Sequence, residues 1–217
     1  MKTPLQERAE AAAVKFHTTA RSSPVVIEFA GVPKAGKTTT LNHVQAFLRR
    51  CGFRVEVVVE RASVCPIRDK KHSHFNVWTA CTTLTQILDK TQIPPRQDDP
   101  EILILDRGIF DSLWWFALME QLVRIRKEER QAIERFLLIE DWRTRITGVV
   151  VMTTEPKDAL QREKGYLPVV GAQGSIMNHT VLQKARDFVD DTITRLSDRF
   201  TFFRIDTSSR QFKNKPK

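Results

Sequence analysis

Gly31-Val32-Pro33-Lys34-Ala35-Gly36-Lys37-Thr38 is the stretch whose reading decides the fold, and its spacing is G-x-x-x-x-G-K-T. Ahead of it, residues 25–30 (VVIEFA) are short, β-branched and mostly apolar, the pattern of a buried strand. Behind it, Leu41, Val44, Phe47, Leu48 and Cys51 recur at helical spacing, and Gly52 stops the run. Strand, glycine-bounded loop and helix form the context in which this spacing makes a phosphate site. The glycines let backbone N–H groups turn inward around an anion, and the helix start adds the positive end of its dipole. In such a site Lys37 reaches the β- and γ-phosphates and Thr38 offers its hydroxyl to Mg²⁺. Gly31, Lys34, Ala35, Gly36 and Thr39 complete the expected cradle. The ligand this predicts is a nucleoside triphosphate.

Outward from the loop, 217 residues suit one nucleotide-binding domain with a full core. No apolar run reaches the length of a membrane span, and the N-terminus has no apolar signal core. Three cysteines without metal-like spacing read as reduced thiols of a cytoplasmic protein. The net charge of +9 invites a nucleic-acid reading, so its location matters. Residues 1–22 hold four basic and two acidic side chains, and residues 210–217 hold four basic and none acidic. Much of the excess therefore sits on terminal segments, where solvated tails are expected. A nucleic-acid partner stays open but is not favoured. The organisation expected is a helical extension over 1–22, a nucleotide-binding domain over 23–209 and a basic tail over 210–217.

Within that domain β-branched runs alternate with helical periodicity. Strands are expected at residues 53–59, 102–106, 147–152 and 200–205, each nearly continuous in apolar residues. Helices are expected at about 75–90, 111–123, 128–143, 156–165 and 181–196, with another over 4–15. This alternation predicts an α/β fold with a five-stranded parallel sheet covered on both faces. Ligands then gather at the carboxyl ends of the strands, the edge that carries the phosphate loop, Glu60 and Asp106.

Each candidate at that edge has a chemical reading and a plainer one. Asp106 ends four aliphatic residues, the arrangement that holds Mg²⁺, though a strand-ending Asp also caps helices. Arg107 suits the bridging of donor and acceptor phosphates, or a surface ion pair. Glu60 suits proton abstraction from an attacking hydroxyl, or an ion pair with Arg61 or Arg107. Asp111 suits either a contact to the acceptor's base or sugar, or a helix cap. Phe75, Trp78 and Thr79 share a helical face, which serves as core or as an aromatic wall whose base edge Asn76 or Thr79 reads. Arg162 leaves a helix for a glycine-containing segment, a lid over about 162–178 or a solvated charge run.

Taken in order from Val25 to Asp206, these residues resemble the thymidylate kinase and deoxynucleoside kinase group of P-loop kinases. The resemblance rests on the phosphate loop with Thr38-Thr39-Thr40-Leu41, the strand-ending Glu60, Asp106-Arg107-Gly108, Glu155-Pro156 through Arg162, and Asp206-Thr207-Ser208. It implies a three-layer P-loop fold and transfer of the γ-phosphoryl group of ATP to a nucleoside or nucleotide, with Mg²⁺. Under it Glu60 is the general base or a magnesium partner, Arg107 contacts the transferring phosphates, and Arg162 and Asp206 border the adenine. Arg61, Phe75, Trp78 and Asp111 fall to the acceptor. Members of the group often carry Glu immediately before the first glycine; here Ala30 stands there and Glu28 lies two residues earlier. Kinases for a polynucleotide 5′ end or a small antibiotic, and a regulatory NTPase switch, stay open as alternatives, as does a homodimer.

Overall fold

The first strand, β1 (Val25–Gly31), runs down the middle of the sheet, flanked by β3 (Ile102–Asp106) and β4 (Ile146–Thr153). In this computed structural model, which describes residues 2–19, 23–164 and 176–209, β2 (Val55–Val58) adds outside β3 and β5 (Phe202–Asp206) outside β4. The order is β2-β3-β1-β4-β5, and every pairing is parallel. Parallel neighbours need crossovers, and helices supply them on both faces. These are α2 (Lys37–Arg50), α3 (Ser73–Lys90), α4 (Ile109–Gln121), α5 (Lys127–Leu137), α6 (Glu140–Arg143), α7 (Pro156–Lys164) and α8 (His179–Arg195). The expected three-layer α/β architecture is the one found.

The register decides where chemistry can occur. Phe29 lies level with Asp106 on β3, and Gly31 with Met152 on β4. The three inner strands therefore end side by side, and the loops leaving β1 and β3 are neighbours. Behind that edge, α4 is apolar on nearly every side because elements surround it: Phe110, Trp114 and Leu118 are all fully buried. Phe110 meets the Phe202 ring edge-on at 4.9 Å, which links α4 to the far strand. The preceding helix, α1 (Pro4–Thr18), packs Phe16 edge-to-face on Phe53 at 5.6 Å. Among the described residues no helix is long and apolar enough to cross a membrane.

Three expectations need correction. The single helix over 128–143 is two, because the Trp142 indole N–H donates to the Phe136 and Leu137 carbonyls (3.2 Å each) and closes α5 there. The strand at 53–59 is reduced to β2, with Glu60 two residues beyond its end. Finally, β5 is a partly exposed edge rather than a buried strand, with Phe203 and Ile205 open to solvent.

Gly31 is the residue this architecture can least replace. Its φ is +117°, and a Cβ there would lie 2.1 Å from the Met152 carbonyl oxygen, a backbone atom that cannot swing aside. Gly31→Ala should lower the unfolding free energy by at least about 2 kcal/mol, as expected where neither conformation nor space admits a side chain. Urea unfolding measures this directly, and an unchanged midpoint would mean that the β1–β4 approach is not this tight.

Candidate active site at the carboxyl edge of the sheet

The phosphate loop leaves β1 and enters α2 through Lys34 (φ 59°) and Gly36 (φ 90°), two left-handed residues that turn the backbone around a hollow. A cavity of about 650 Å³ opens there, bounded by the loop, Glu60, Asp106, Arg107, Arg162 and Thr207. Lys37 folds back into the loop, its Nζ donating to the carbonyls of Gly31 (2.8 Å) and Val32 (2.9 Å). Burial lowers its pKa from 10.5 to about 8, and the neighbouring Arg107 charge adds to that. Thr38 Oγ1 donates to Asp106 Oδ2 at 2.8 Å, so a hydroxyl and a carboxylate meet at the loop's helix end. Such an all-oxygen pair fits a hard divalent cation such as Mg²⁺.

Arg107 adopts a left-handed backbone (φ 70°) that sends its side chain across the edge between two acids. Its Nε lies 2.9 Å from Glu60 Oε2, and its Nη1 donates to Asp111 Oδ2 at 2.8 Å. Burial works against the Arg107 charge, but Asp111 and Glu60 more than offset it. The other oxygen of Asp111 accepts from the backbone N–H of Gly31 (2.8 Å) and the Trp114 indole (3.0 Å). Asp111 therefore braces the first residue of the phosphate loop. Its own amide, with that of Phe110, donates to the fully buried Glu28 carboxylate at 2.7 and 3.1 Å. A Cβ on Gly108 would fall 2.7 Å from Glu28, which is why the Asp-Arg pair is followed by glycine.

A second cavity, about 340 Å³, lies between α3 and α4. Phe75, Trp115 and Phe116 form its apolar walls, with Asn76, Thr79 and Thr83 as the polar groups on α3. Pro33, Glu60 and Arg107 line both cavities.

Most of the residues expected at the site converge here, in different company from that anticipated. Trp78 is half-buried but does not line the second cavity; Trp115, one turn along α4 from Asp111, does. Asp206 turns from the loop to Ser208 and Arg186, while its neighbour Thr207 reaches the Ala35 carbonyl at 3.0 Å. Arg162 neither stacks in the open nor trails in solvent. Its guanidinium donates to the Lys34 carbonyl (2.9 Å) and to the Thr207 carbonyl (2.6 Å), tying α7 and the end of β5 to the loop. Arg61 lines the second cavity. The expected lid falls mainly on residues 165–175, outside the described residues, as do 20–22 and the basic tail. Sequence reasoning missed Glu28 as a participant, although an acid in a buried apolar strand was itself the signal.

Glu28 carries a pH signature. Burial raises its pKa from 4.5 to about 8, against the backbone amides of Asp111, Phe110 and Gly108 that favour its charge. Between those values the folded state holds a proton that the unfolded chain has lost. The stability contribution is therefore full below pH 4.5 and is lost as pH rises through 8. Glu28→Gln cannot titrate, so the difference in melting temperature between wild type and variant should shrink or reverse from pH 5.5 to pH 8. A constant difference across that range would mean that Glu28 keeps its charge in the fold.

No protein-family model and no curated protein sequence matches this chain. Solved structures do. The deoxyadenosine kinase from M. mycoides with bound dCTP is similar at TM-score 0.60 and 14% identity, and the same enzyme with bound dATP at 0.61 and 15%. Each alignment covers 84% of this chain and 90% of the other. A third structure of that enzyme, holding the products dCMP and a flexible dCDP, aligns over the same share at 0.61 and 15%. The fold of this chain is the fold of those kinases.

Proposed function

We propose that the protein is a P-loop kinase that moves the γ-phosphoryl group of ATP to a nucleoside or nucleotide, with Mg²⁺. One observation carries the proposal: a phosphate-loop cavity and an aromatic-walled cavity share a wall made by Glu60 and Arg107. A donor in the first and an acceptor in the second would meet at that wall. The fold shared with the deoxyadenosine kinase structures adds support.

The roles follow from position. Lys37 leaves the Gly31 and Val32 carbonyls for the β- and γ-phosphates, a stronger charge-assisted contact. Thr38 and Asp106 hold the cation, which when bound neutralises charge on the donor phosphates. Arg107 stabilises the charge of the transferring group, and Arg162 holds the loop and the Thr207 segment that border the donor. Phe75, Trp115 and Phe116 confine the acceptor. Its hydroxyl oxygen forms the new bond to the γ-phosphorus as the bond to the β–γ bridging oxygen breaks, and ADP departs with that electron pair. Glu60 orients the hydroxyl and receives its proton, which leaves late in a loose transition state.

Lys37→Ala should reduce turnover by about 10²–10³-fold, the usual loss for one preorganised donor. The variant is compared at a temperature where it is folded, because Lys37 is buried and its loss frees the Gly31 and Val32 carbonyls. Glu60→Gln should cut acceptor phosphorylation by roughly 10²–10⁴-fold while ATP affinity holds, since a base acts on the acceptor alone. Parallel loss of both would move Glu60 to the cation shell. Assay of ATP consumption against nucleosides and nucleotides tests the whole proposal: turnover that requires an acceptor sustains it, and hydrolysis indifferent to every acceptor replaces it with a regulatory NTPase.

A further inference from the structure

Cations gather without partners at the end of the second cavity farthest from the phosphate loop. α4 starts against Glu28 and Gly31 and rises about 20 Å over its 13 residues. Arg124 follows its far end. Asn76 Nδ2 lies 3.2 Å from Met119 Sδ, which sets the first turn of α3 beside the last turn of α4. Lys70 lies just before that first turn. Lys70 and Arg124 both line the cavity, and neither makes an ion pair or side-chain hydrogen bond among the described residues. The cavity's two acids, Glu60 and Asp111, are at the opposite end and are engaged by Arg107.

Arg124 is half-buried and follows directly on the turn that ends α4. Val123, immediately before it, holds φ 56°, a left-handed conformation that costs a β-branched residue on the order of 1–3 kcal/mol. That geometry closes α4: the Val123 and Arg124 amides donate to the Glu120 and Met119 carbonyls, both at 2.9 Å. The helix dipole would stabilise a cation at this end by about 0.3–1 kcal/mol. The same turn carries the Arg124 guanidinium to the cavity wall, where no described residue pairs with it. A cavity of about 340 Å³ is near the lower end of ligand pockets, room for one nucleotide unit.

We propose that Lys70 and Arg124 form an anion subsite, so that the acceptor is a nucleoside with a free 5′-hydroxyl and a phosphate on its 3′ side. This rests on the kinase reading above. The 5′-hydroxyl meets Glu60 and the γ-phosphate at the loop end, the base lies against the aromatic walls, and the 3′-phosphate points to the far cations. A 5′-monophosphate would instead set its charge at the loop end, beside Arg61 and Arg107 and away from Lys70 and Arg124. The same chemistry is offered by a nucleoside 3′-phosphate and by the 5′-hydroxyl end of an oligonucleotide.

The test uses the full chain with ATP and Mg²⁺ against the common nucleosides, their 3′-phosphates and their 5′-monophosphates. The 3′-phosphate of the preferred nucleoside should show a KM at least tenfold below that of the nucleoside, with kcat within threefold. That advantage should shrink as salt is raised, because the subsite is open to solvent. Arg124→Ala should erase it, and Arg124→Lys should keep most of it. A 5′-hydroxyl dinucleotide that outcompetes the mononucleotide points to a chain end as the source, and the reverse order points to the mononucleotide; either supports the subsite. Equal KM values with and without the 3′-phosphate, or a preference for 5′-monophosphates, overturn it and leave the kinase reading standing. If no acceptor supports turnover, the kinase reading falls. Calorimetric binding then decides the subsite alone: tighter binding of the 3′-phosphate than of the nucleoside sustains it, and equal binding ends it.

Discussion

The Asp111 carboxylate is the constraint on which the rest of the edge depends. Buried and only 4% exposed, it is tolerable there because three donors meet it: the Gly31 amide, the Trp114 indole and the Arg107 guanidinium. Each donor belongs to a different task. The amide opens the phosphate loop, the indole sits in the α4 core, and the guanidinium crosses to Glu60. A buried carboxylate with all its partners fixed is rigid, so loop, core and cavity wall share one frame. This goes beyond the two roles the sequence offered. A cap accepts from the amides of its own helix, whereas Asp111 accepts from the Gly31 amide of β1; it also lines the second cavity.

Beneath that frame lies Glu28, and it explains the residues that follow β3. Its carboxylate occupies the start of α4, where two amides would otherwise be unsatisfied. To seat it, the chain between β3 and α4 must pass close by, which excludes a side chain at position 108. The same tight turn places Arg107 at φ 70° with its amide bonded to the Phe29 carbonyl at 3.0 Å. Strain at Arg107 is thus held by bonds on both sides of it. Asp106, Arg107 and Gly108 are adjacent in sequence for one physical reason: strand end, crossing cation and close approach fall on three successive residues.

How much of this was legible depended on whether the signal was local. The sheet, its five strands and the glycine-bounded turn from β1 into α2 were readable because alternation and glycine spacing are written along the chain. Helix limits at 128–143 were not, since the break comes from an indole returning from Trp142 to cap carbonyls behind it. Trp78 and Trp115 show the same limit in the cavity. Periodicity puts each on a helix, but only the packing of α3 against α4 decides which one faces the gap. Glu28 stood in plain view inside an apolar strand, yet its partners are more than eighty residues away. Arg162 and Asp206 differ by where their loops return, which no local pattern encodes.

The two ion pairs of Arg107 are unequal, and the inequality gives the edge a direction. Toward Glu60 the pair is open, with side chains 26% and 39% exposed, and such pairs contribute about 0–1 kcal/mol. Toward Asp111 the carboxylate is 5% exposed and shares its other oxygen with the loop amide. Separating Arg107 from it would strand a buried charge, at a cost of about 3–5 kcal/mol for pairs of that kind. If a phosphate competed for the guanidinium, as the proposed function requires, it would displace Glu60 and not Asp111. The arginine keeps its anchor and its geometry, while the carboxylate it releases is the one on the wall between the two cavities. Under the kinase proposal, binding on the donor side would free the carboxylate proposed to act on the acceptor, through a pair weak enough to yield and a brace too buried to follow.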